Sequence, residues 1–398
     1  MLKTSKTRIA SLVTPFVTMF VVVLVLGILA CTGPAQARET GPKEVGEPGV
    51  AARAWALIDL RSGEYLAGED ASEELPIAST TKIMAALVVL GRANLDEEVR
   101  VSEDAAAYAT PAYSNVGLLP GDTLSVRELL MAALISSGDD AAYALAEQAG
   151  GGGAAGVNSF IAQMNEEAGT LGLEHTHFEN PVGFDERGHY SSAEDLATMA
   201  RVAMQNPEFR EMVSTQYATI YTPSREIPLA NTNVLLSTYG LATGIKTGTT
   251  PAAGESLVSS AARGDESYVC VILDSQEERF AASVRALRYG FAAYDRTDLV
   301  IEGKRYATIG VPYRRDESVD LVAKGSVAGL VDASPDVERD VELTTDLPDS
   351  AGAGSRLGRV IVKVDGNRVG QAPLVAKKGY EKASLRQRVW YTVGGIFE

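Results

Sequence analysis

The alternation of hydrophobic and polar positions divides the chain into two regions with different elements. Near the start of the first region, residues 55–60 and 64–66 resemble strands, and Arg61-Ser62-Gly63 predicts a hairpin turn between them. From Ser79 to Leu90 the chain is rich in Ala, Leu and Val and lacks Gly and Pro, which predicts a buried helix that ends at Gly91. Further helices are predicted at 126–136, 140–148, 157–168, 193–205 and 279–291, and further strands at 256–261 and 267–273.

Short β-branched runs dominate the second region. They recur at 306–311, 318–323, 337–343 and 360–364, and Asp365-Gly366 is a strong hairpin signal after the last of them. The pattern therefore predicts a mixed α/β (α+β) domain over residues 50–292, followed by a small all-β domain over residues 295–378. The second domain contains no cluster of catalytic residue types, so we interpret it as a spacer or docking module.

The tail, residues 379–398, has apolar residues at helical spacing. Leu385, Val389, Val393 and Ile396 form the stripe, and basic residues lie close to it in the sequence. Two interpretations remain: an amphipathic helix on a membrane surface, or a helix packed on the β domain. The pair Gly394-Gly395 weakens either helix.

The N-terminal residues 1–37 have the pattern of a signal peptide. Three basic residues precede an apolar run from Phe16 to Ala30, and Ala35-Gln36-Ala37 provides small residues for cleavage before Arg38. The alternatives are a retained membrane anchor and a lipoprotein signal ending at Cys31. All three interpretations predict export to the extracellular face of the cytoplasmic membrane or to the cell wall.

Charge and cysteine content narrow the classes of partner. The formal net charge is -16, and the charged residues of the leader are all basic, so the remainder is more acidic still. Such a chain repels phosphate backbones, which excludes nucleic acid as an expected partner. The second of the two cysteines, Cys270, lies in an apolar strand-like run and is expected to be buried and free.

The sequence Ser79-Thr80-Thr81-Lys82 opens the first predicted helix. Because residues three apart share one face of a helix, the Lys82 amine can lie beside the Ser79 hydroxyl and serve as its base if it is unprotonated. Alone, this spacing is weak, since an ordinary helix-capping serine has the same pattern.

Two further segments add chemistry of the same kind. Ser136-Ser137-Gly138-Asp139-Asp140 lies between two predicted helices, where the Ser137 hydroxyl could relay a proton. Lys246-Thr247-Gly248 precedes the predicted strand at residue 256, where a lysine supplies positive charge and Gly248 permits close approach of a substrate backbone. Taken singly, these segments are equally consistent with a helix cap and a glycine-bounded hairpin.

The ordered set Ser79-x-x-Lys82, Ser137 and Lys246-Thr247-Gly248 resembles that of the low-molecular-mass penicillin-binding D-Ala-D-Ala carboxypeptidases. The resemblance covers nearly the whole exported chain, including the β domain. It implies a serine β-lactamase/transpeptidase-like fold in the first domain and hydrolysis of the terminal D-alanine from peptidoglycan stem peptides. β-Lactams would be covalent inhibitors, and no metal or organic cofactor is expected.

The resemblance also implies roles for individual residues. Ser79 would be the acylated nucleophile, Lys82 its base, Ser137 a proton relay and Lys246 an electrostatic control. The substrate side would be formed by Thr247 and Arg279 at the terminal carboxylate, Thr249 with Ser79 at the oxyanion, Gly248 along the backbone and Ser114 at the edge. The segment Asn180–Phe184 also resembles a family loop, which we expect to be structural.

Asp139 departs from the family pattern, which usually has asparagine there. An ionised aspartate only accepts hydrogen bonds and would favour the charged form of Lys82, so Asp139 puts the rate in question. Two other hypotheses stay open: a β-lactamase, which uses the same acylation, and a penicillin-sensing or wall-binding protein without turnover, for which Asp139 is the only motivation. The chain has three histidines and no G-x-S-x-G, which argues against a Ser-His-Asp triad; His175 and His177 are expected to be solvated loop residues rather than metal ligands.

Overall fold

The computed structural model describes residues 45–314 and 316–394. The predicted leader, residues 1–37, and the end of the tail with Ile396 lie outside the described residues. The first domain contains the strands β1 (Ala52–Asp59), β2 (Tyr65–Glu69), β3 (Glu98–Arg100), β4 (Thr123–Ser125), β5 (Tyr217–Tyr221), β6 (Glu226–Ala230), β7 (Ala242–Thr250), β8 (Gly254–Arg263) and β9 (Glu266–Ser275). Its helices are α1 (Lys82–Arg92), α2 (Glu103–Ala106), α3 (Val126–Ile135), α4 (Asp139–Gly150), α5 (Gly153–Leu171), α6 (Ala193–Ala203), α7 (Pro207–Ser214), α8 (Leu235–Thr238) and α9 (Arg279–Ala293).

A five-stranded antiparallel sheet organises this domain, with the strand order β2-β1-β9-β8-β7. The central strand β9 is buried on both faces. Val269 and Val271 belong to the large core formed with most of the helices, whereas Cys270 and Ile272 pack with α9 on the other face. This arrangement explains why the strand is a continuous apolar run instead of an alternating one, and it places the free Cys270 in the core as expected.

The helix predicted from Ser79 is corrected at both ends. Residues 78–81 form a 3₁₀ turn, and the α-helix α1 begins only at Lys82. Gly91 does not end it, because the helix continues to Arg92 and the residue that leaves helical geometry is Ala93, whose φ and ψ are -95° and 151°. A glycine in the last turn of a helix costs only conformational entropy, so it need not stop the helix there.

Several elements were absent from the prediction. The helix α7 and the hairpin β5–β6 lie between the predicted helix at 193–205 and the Lys246 segment. The strand β7 also begins before the Lys246 segment, so this segment belongs to the edge strand of the main sheet. The hairpin interpretation is compatible with this arrangement, because Lys246-Thr247-Gly248 lies in the first strand of the β7–β8 hairpin.

The second domain is built from strands: β10 (Asp295–Val300), β11 (Arg305–Gly310), β12 (Ser318–Ala323), β13 (Val327–Val331), β14 (Val337–Leu343), β15 (Arg356–Val364) and β16 (Asn367–Ala376). A five-stranded antiparallel sheet has the order β11-β12-β16-β15-β14, and β10 pairs with β13. The predicted Asp365-Gly366 turn joins β15 to β16, with positive φ at both residues. Its own apolar cluster forms the core of this domain.

Polar contacts connect the two domains. The Arg296 guanidinium at the start of β10 donates to the buried Asp59 carboxylate at 2.6 Å, and the Arg296 side chain itself is largely covered. The Tyr294 hydroxyl donates to the Leu66 carbonyl oxygen at 2.9 Å. The β domain is thus attached at the β1–β2 edge of the sheet, away from the edge strand β7.

The tail forms the helix α10 (Leu385–Gly394). Arg388 forms an ion pair with Asp349 of the β domain, and its guanidinium lies 4.6 Å from the centre of the Tyr313 ring. Across residues 45–314 and 316–394, none of the helices has the length and apolar character needed to cross a membrane.

Candidate active site

The candidate nucleophile lies in a strained turn ahead of α1. Ala78, the residue before Ser79, has a φ of +48°, which is uncommon for a residue with a side chain. On the next turn, the Lys82 amine lies 2.7 Å from the Ser79 hydroxyl oxygen, as the three-residue spacing predicts. The α1 helix therefore carries the base while the 3₁₀ turn presents the nucleophile.

Lys82 is fully buried and has three partners. Besides Ser79, its Nζ lies 2.7 Å from an Asp139 carboxylate oxygen and 3.0 Å from the Val182 carbonyl oxygen. Both of these oxygens can only accept, so a neutral amine uses its two N–H bonds on them and directs its lone pair at the Ser79 hydroxyl. Burial lowers the pKa of Lys82, and the neighbouring Asp139 carboxylate opposes this effect.

The turn between α3 and α4 places the second motif beside this pair. Ser137 is buried and has a φ of +61°, an unusual conformation for serine. Asp139 begins α4, and its backbone N–H donates to the Ser114 carbonyl oxygen at 2.7 Å. The structure therefore connects the predicted edge residue Ser114 to the residue that contacts Lys82.

The next residue, Asp140, holds the segment that follows Ser114 in place. Its buried carboxylate accepts from the backbone N–H groups of Val116 and Leu118 at 3.0–3.2 Å. Burial raises the pKa of Asp140, while these hydrogen bonds and one from the Ala141 backbone N–H act in the opposite direction. The sequence motif thus contains two acidic residues with different contacts, one at Lys82 and one at the Ser114 segment.

The third motif lies on the edge strand β7. Lys246 is 1 % exposed, and its Nζ donates to the Thr247 carbonyl oxygen at 3.0 Å. Burial lowers the pKa of Lys246 well below its usual range, and the nearby Lys82 adds to this shift. Lys82 therefore disfavours the charged form of Lys246, whereas Asp139 opposes this effect.

Gly248 lies against the nucleophile turn. A Cβ at this position would be 2.8 Å from the Ile77 carbonyl oxygen and 3.3 Å from the Ser79 backbone nitrogen. The Thr247 hydroxyl is 2.7 Å from that of Thr232, a residue that the sequence did not indicate. A glycine at 248 is thus needed for β7 to pack directly on the turn that carries Ser79.

Arg279, at the first turn of α9, reaches the same strand. Its guanidinium donates to the Gly248 carbonyl oxygen at 2.9 Å and to the Thr249 hydroxyl at 2.7 Å. Partial burial lowers the pKa of Arg279 from a very high ordinary value, so the group stays charged at neutral pH. The structure thus brings a permanent positive charge to the edge of β7.

A cavity of about 250 Å³ opens at these residues. The predicted site residues among those that line it are Ser79, Ser114, Asp139 and Thr249. Lys82, Ser137, Lys246 and Thr247 are buried, and Lys82 contacts three of the lining residues, Ser79, Asp139 and Val182.

The loop at Asn180–Phe184 was interpreted as structural, and this interpretation is incomplete. Val182, Gly183 and Phe184 line the cavity, and Val182 also provides a hydrogen bond to Lys82. The Phe184 ring packs in a tilted arrangement on Tyr113, another lining residue, with ring centres 5.0 Å apart. The glycine in this loop was the available signal, because a Cβ at Gly183 would lie 1.9 Å from the Ala78 carbonyl oxygen.

Comparisons with known proteins identify this arrangement. A family model described as D-alanyl-D-alanine carboxypeptidase matches residues 41–277, and a model of the penicillin-binding protein 5 C-terminal domain matches residues 294–382. The carboxypeptidase DacF of Bacillus subtilis (strain 168) is 29% identical over 93% of this chain and 97% of its own length. DacC of Escherichia coli (strain K12) is 32% identical over 86% of this chain and 88% of its own length.

Solved structures agree with these matches. The crystal structure of the Streptomyces K15 DD-transpeptidase has 38% identity and a TM-score of 0.59, and covers 62% of this chain and 100% of that one. The carboxypeptidase DacD of Francisella tularensis has 23% identity and a TM-score of 0.63 over 86% of this chain and 96% of its own, which supports the two-domain fold. The chain belongs to the D-alanyl-D-alanine carboxypeptidase family and is a serine peptidase of the bacterial cell wall, with a penicillin-binding-type catalytic domain followed by an all-β domain.

Proposed function

We propose that Ser79 is the residue through which this carboxypeptidase cleaves D-Ala-D-Ala stem peptides. The Ser79 oxygen attacks the carbonyl carbon of the penultimate D-alanine while its proton passes to the Lys82 amine. The observation that carries this proposal is the contact of 2.7 Å between the two groups at the wall of a cavity. No second acid–base pair is needed, because the lone pair of a neutral Lys82 already faces the hydroxyl.

The tetrahedral intermediate then collapses by expelling the terminal D-alanine. The C–N bond breaks, the amine takes a proton that Lys82 returns by way of Ser137, and an ester to Ser79 remains. Water hydrolyses this ester, which regenerates the serine and releases the shortened stem. The backbone N–H groups of Ser79 and Thr249 would stabilise the oxyanion at each addition.

Positive charge would hold the substrate's terminal carboxylate. Arg279 lies beside β7 with its charge intact, and the Thr247 hydroxyl can donate to a carboxylate oxygen. Lys246 would provide electrostatic control, because two neighbouring buried amines do not both hold a proton easily. The peptide backbone would lie along the edge strand, where Gly248 has no side chain to obstruct it.

The test compares the full chain with its Ser79→Ala variant and a matched Ser237→Ala control, in which an exposed helical serine is removed. Intact mass after incubation with a fluorescent penicillin reports acylation, and D-alanine release from a diacetyl-Lys-D-Ala-D-Ala peptide reports turnover. We expect both signals in the wild type and control and neither in Ser79→Ala. Retained acylation of Ser79→Ala would refute the assignment, and labelling of the wild type without release would favour a penicillin sensor.

We also propose that α10 lies on the surface of the membrane. Leu385, Val389 and Trp390 are 83%, 56% and 66% exposed, although the same helix forms an ion pair with the β domain through Arg388. A helix held at one side can present the other to lipid, with basic residues near the headgroups. Co-sedimentation with phosphatidylglycerol vesicles should fall for Leu385→Glu with Val389→Glu and persist for Tyr217→Glu, an exposed aromatic residue in β5. Equal sedimentation of both variants would contradict the proposal.

Export follows from the N-terminal pattern. Cleavage after Ala37 would release a chain that begins at Arg38, whereas a lipoprotein would begin at Cys31. N-terminal sequencing of the protein recovered from the envelope distinguishes the two, and an intact Met1 would support a retained anchor.

A further inference from the structure

The buried histidine His189 has no part in the reaction described above, yet it lies next to the turn that carries the proposed nucleophile. It is 4 % exposed and belongs to the loop that follows the cavity-lining segment. Its Nε2 lies 2.8 Å from the hydroxyl of Thr81. Thr81 lies between Ser79 and Lys82 in the sequence. A histidine in this place either fills the core or acts on the site through Thr81.

The hydrogen bonds around His189 define its tautomer. The backbone N–H of Glu179 donates to Nδ1 at 3.1 Å, so Nδ1 carries no proton and the single proton of the neutral ring lies on Nε2. Nε2–H therefore donates to Thr81. Burial lowers the pKa of His189 to about 4, with a further contribution from His177 and an opposing one from Asp185, and the ring is neutral at neutral pH.

Thr81 passes this constraint to the nucleophile turn. Since its oxygen accepts from His189, its one proton is free to donate, and the Ala78 carbonyl oxygen lies 2.8 Å away. Ala78 is the residue with the positive φ, and its carbonyl is also the group against which Gly183 packs. The series of hydrogen bonds from His189 through Thr81 thus ends at the carbonyl oxygen of the peptide bond between Ala78 and Ser79.

We propose that His189 is a positioning residue for acylation: its Nε2–H orients the Thr81 hydroxyl, which holds the Ala78 carbonyl and with it the turn that presents Ser79. This inference rests on the proposed role of Ser79. A displacement of the serine oxygen by a fraction of an ångström lengthens its contact with Lys82 and lowers the rate of attack, because catalytic groups depend on alignment. Thr247 and Arg279, which are proposed to bind the substrate carboxylate, do not belong to this hydrogen-bond network.

Two pairs of conservative substitutions separate this role from core filling. The amide of glutamine extends as far from the backbone as Nε2 and can donate to Thr81, whereas the amide of asparagine extends only as far as Nδ1 and can replace just the Glu179 bond. At Thr81, serine keeps the hydroxyl and valine exchanges it for a methyl group of similar size. His189→Gln and His189→Asn therefore differ in which of the two ring hydrogen bonds they keep, and Thr81→Ser and Thr81→Val differ in whether the relaying hydroxyl is present.

The experiment measures acylation of the full chain by a fluorescent penicillin over a range of concentrations, which separates the dissociation constant of the first complex from the first-order acylation rate constant. We expect His189→Asn and Thr81→Val to lower the rate constant roughly 10- to 100-fold, with the dissociation constant unchanged. His189→Gln and Thr81→Ser should stay within about threefold of the wild type, since each keeps the donor to its neighbour.

The outcomes are distinct. Equal rate constants for His189→Gln and His189→Asn at matched melting temperatures overturn the proposal, as does a loss confined to the dissociation constant. If His189→Asn does not fold, the Thr81 pair decides, because equal rates for valine and serine exclude the relay through the hydroxyl. A wild type that is never labelled would instead refute the assignment of Ser79 and not the network alone.

Discussion

The catalytic domain and the β domain differ in where they place charged side chains. In the part of the chain that the structure describes, the buried polar and charged side chains all fall between Asp59 and Ser283, so they belong to the catalytic domain. The core of the β domain consists of Val, Leu, Ile, Ala and Tyr, and its ion pairs, such as that of Lys363 with Asp340, are solvent-accessible. A domain that needs only stability can use an apolar core and place its charges in water.

The β domain shows that a domain of this chain can form a core without buried charges. Lys82, Asp139 and Lys246 incur a desolvation cost that an apolar core would avoid, and they lie together at one cavity. Concentration of this cost at one place is typical of a functional site, where preorganised groups replace water around a reacting atom. The comparison can be tested by altering equivalent features in both domains.

The largest effect is expected for the buried lysine. Lys82→Met removes the base and leaves the Asp139 carboxylate buried without its partner, so acylation should fall roughly 10²- to 10⁴-fold. The free energy of unfolding should fall by roughly 3–5 kcal/mol, because an unpaired buried charge is strongly destabilising. Lys363→Met is the matched control, and we expect its acylation rate and melting temperature to equal those of the wild type, since both partners are exposed. Penicillin labelling measures the acylation rate, and thermal melting measures the stability. Similar losses in Lys82→Met and Lys363→Met would show that the two domains do not differ in this respect.

A smaller effect is expected for a pair of glycines with positive φ. In Gly183→Ala the new Cβ meets the Ala78 carbonyl, and the combined strain and overlap should cost roughly 2–5 kcal/mol and slow acylation. Gly366 in the β15–β16 turn has no atom within 4 Å of the same position, so Gly366→Ala should lose only about 1–2 kcal/mol of backbone strain and keep its acylation rate. Denaturant melts and stopped-flow labelling provide the measurement. Normal acylation in Gly183→Ala would show that this loop does not determine the position of Ser79.

The sequence could predict contacts between residues that lie close together along the chain. Ser79 and Lys82 are three residues apart, so one helical turn brings them together and local spacing was sufficient. The strands β1 and β9 were likewise recognisable, because both of their faces are covered and their apolar runs are continuous, whereas the polar strand β7 was not predicted. The fold class and the carboxypeptidase family are confirmed by the comparisons.

Contacts between distant segments could not be predicted in this way. The Val182 carbonyl lies 100 residues from Lys82 in the sequence, and a backbone oxygen leaves no residue-type signal. His189 is 108 residues from Thr81, and nothing in its neighbourhood shows that it is buried while His175 and His177 are partly exposed. The hairpin β5–β6 was missed because its strands contain Pro228 and expose alternate residues, a pattern that differs little from a loop. The domain bounds at 50–292 and 295–378 and the residue roles stay predictions.

The smallest effect concerns the departure of Asp139 from the asparagine of the family pattern. The carboxylate raises the pKa of Lys82 against the effect of burial, so Asp139→Asn should lower that pKa. Because Lys82 must be neutral to accept the proton, the acidic limb of the acylation rate should move to lower pH. A charge-assisted hydrogen bond exceeds a neutral one by about 1 kcal/mol, which corresponds to about a fivefold faster acylation near neutral pH.

A pH series of penicillin acylation rates checks this, with Asp340→Asn in the β domain as the control that should leave the profile unchanged. Both variants remove one negative charge, so a general effect of net charge would appear in each. An acidic limb that stays in place, or that moves to higher pH in Asp139→Asn, contradicts the assignment of Lys82 as the base. A shift confined to Asp139→Asn would mean that the Asp139 carboxylate slows acylation by favouring the protonated form of Lys82. It would also mean that a single buried charge can change the reaction without a change in the others.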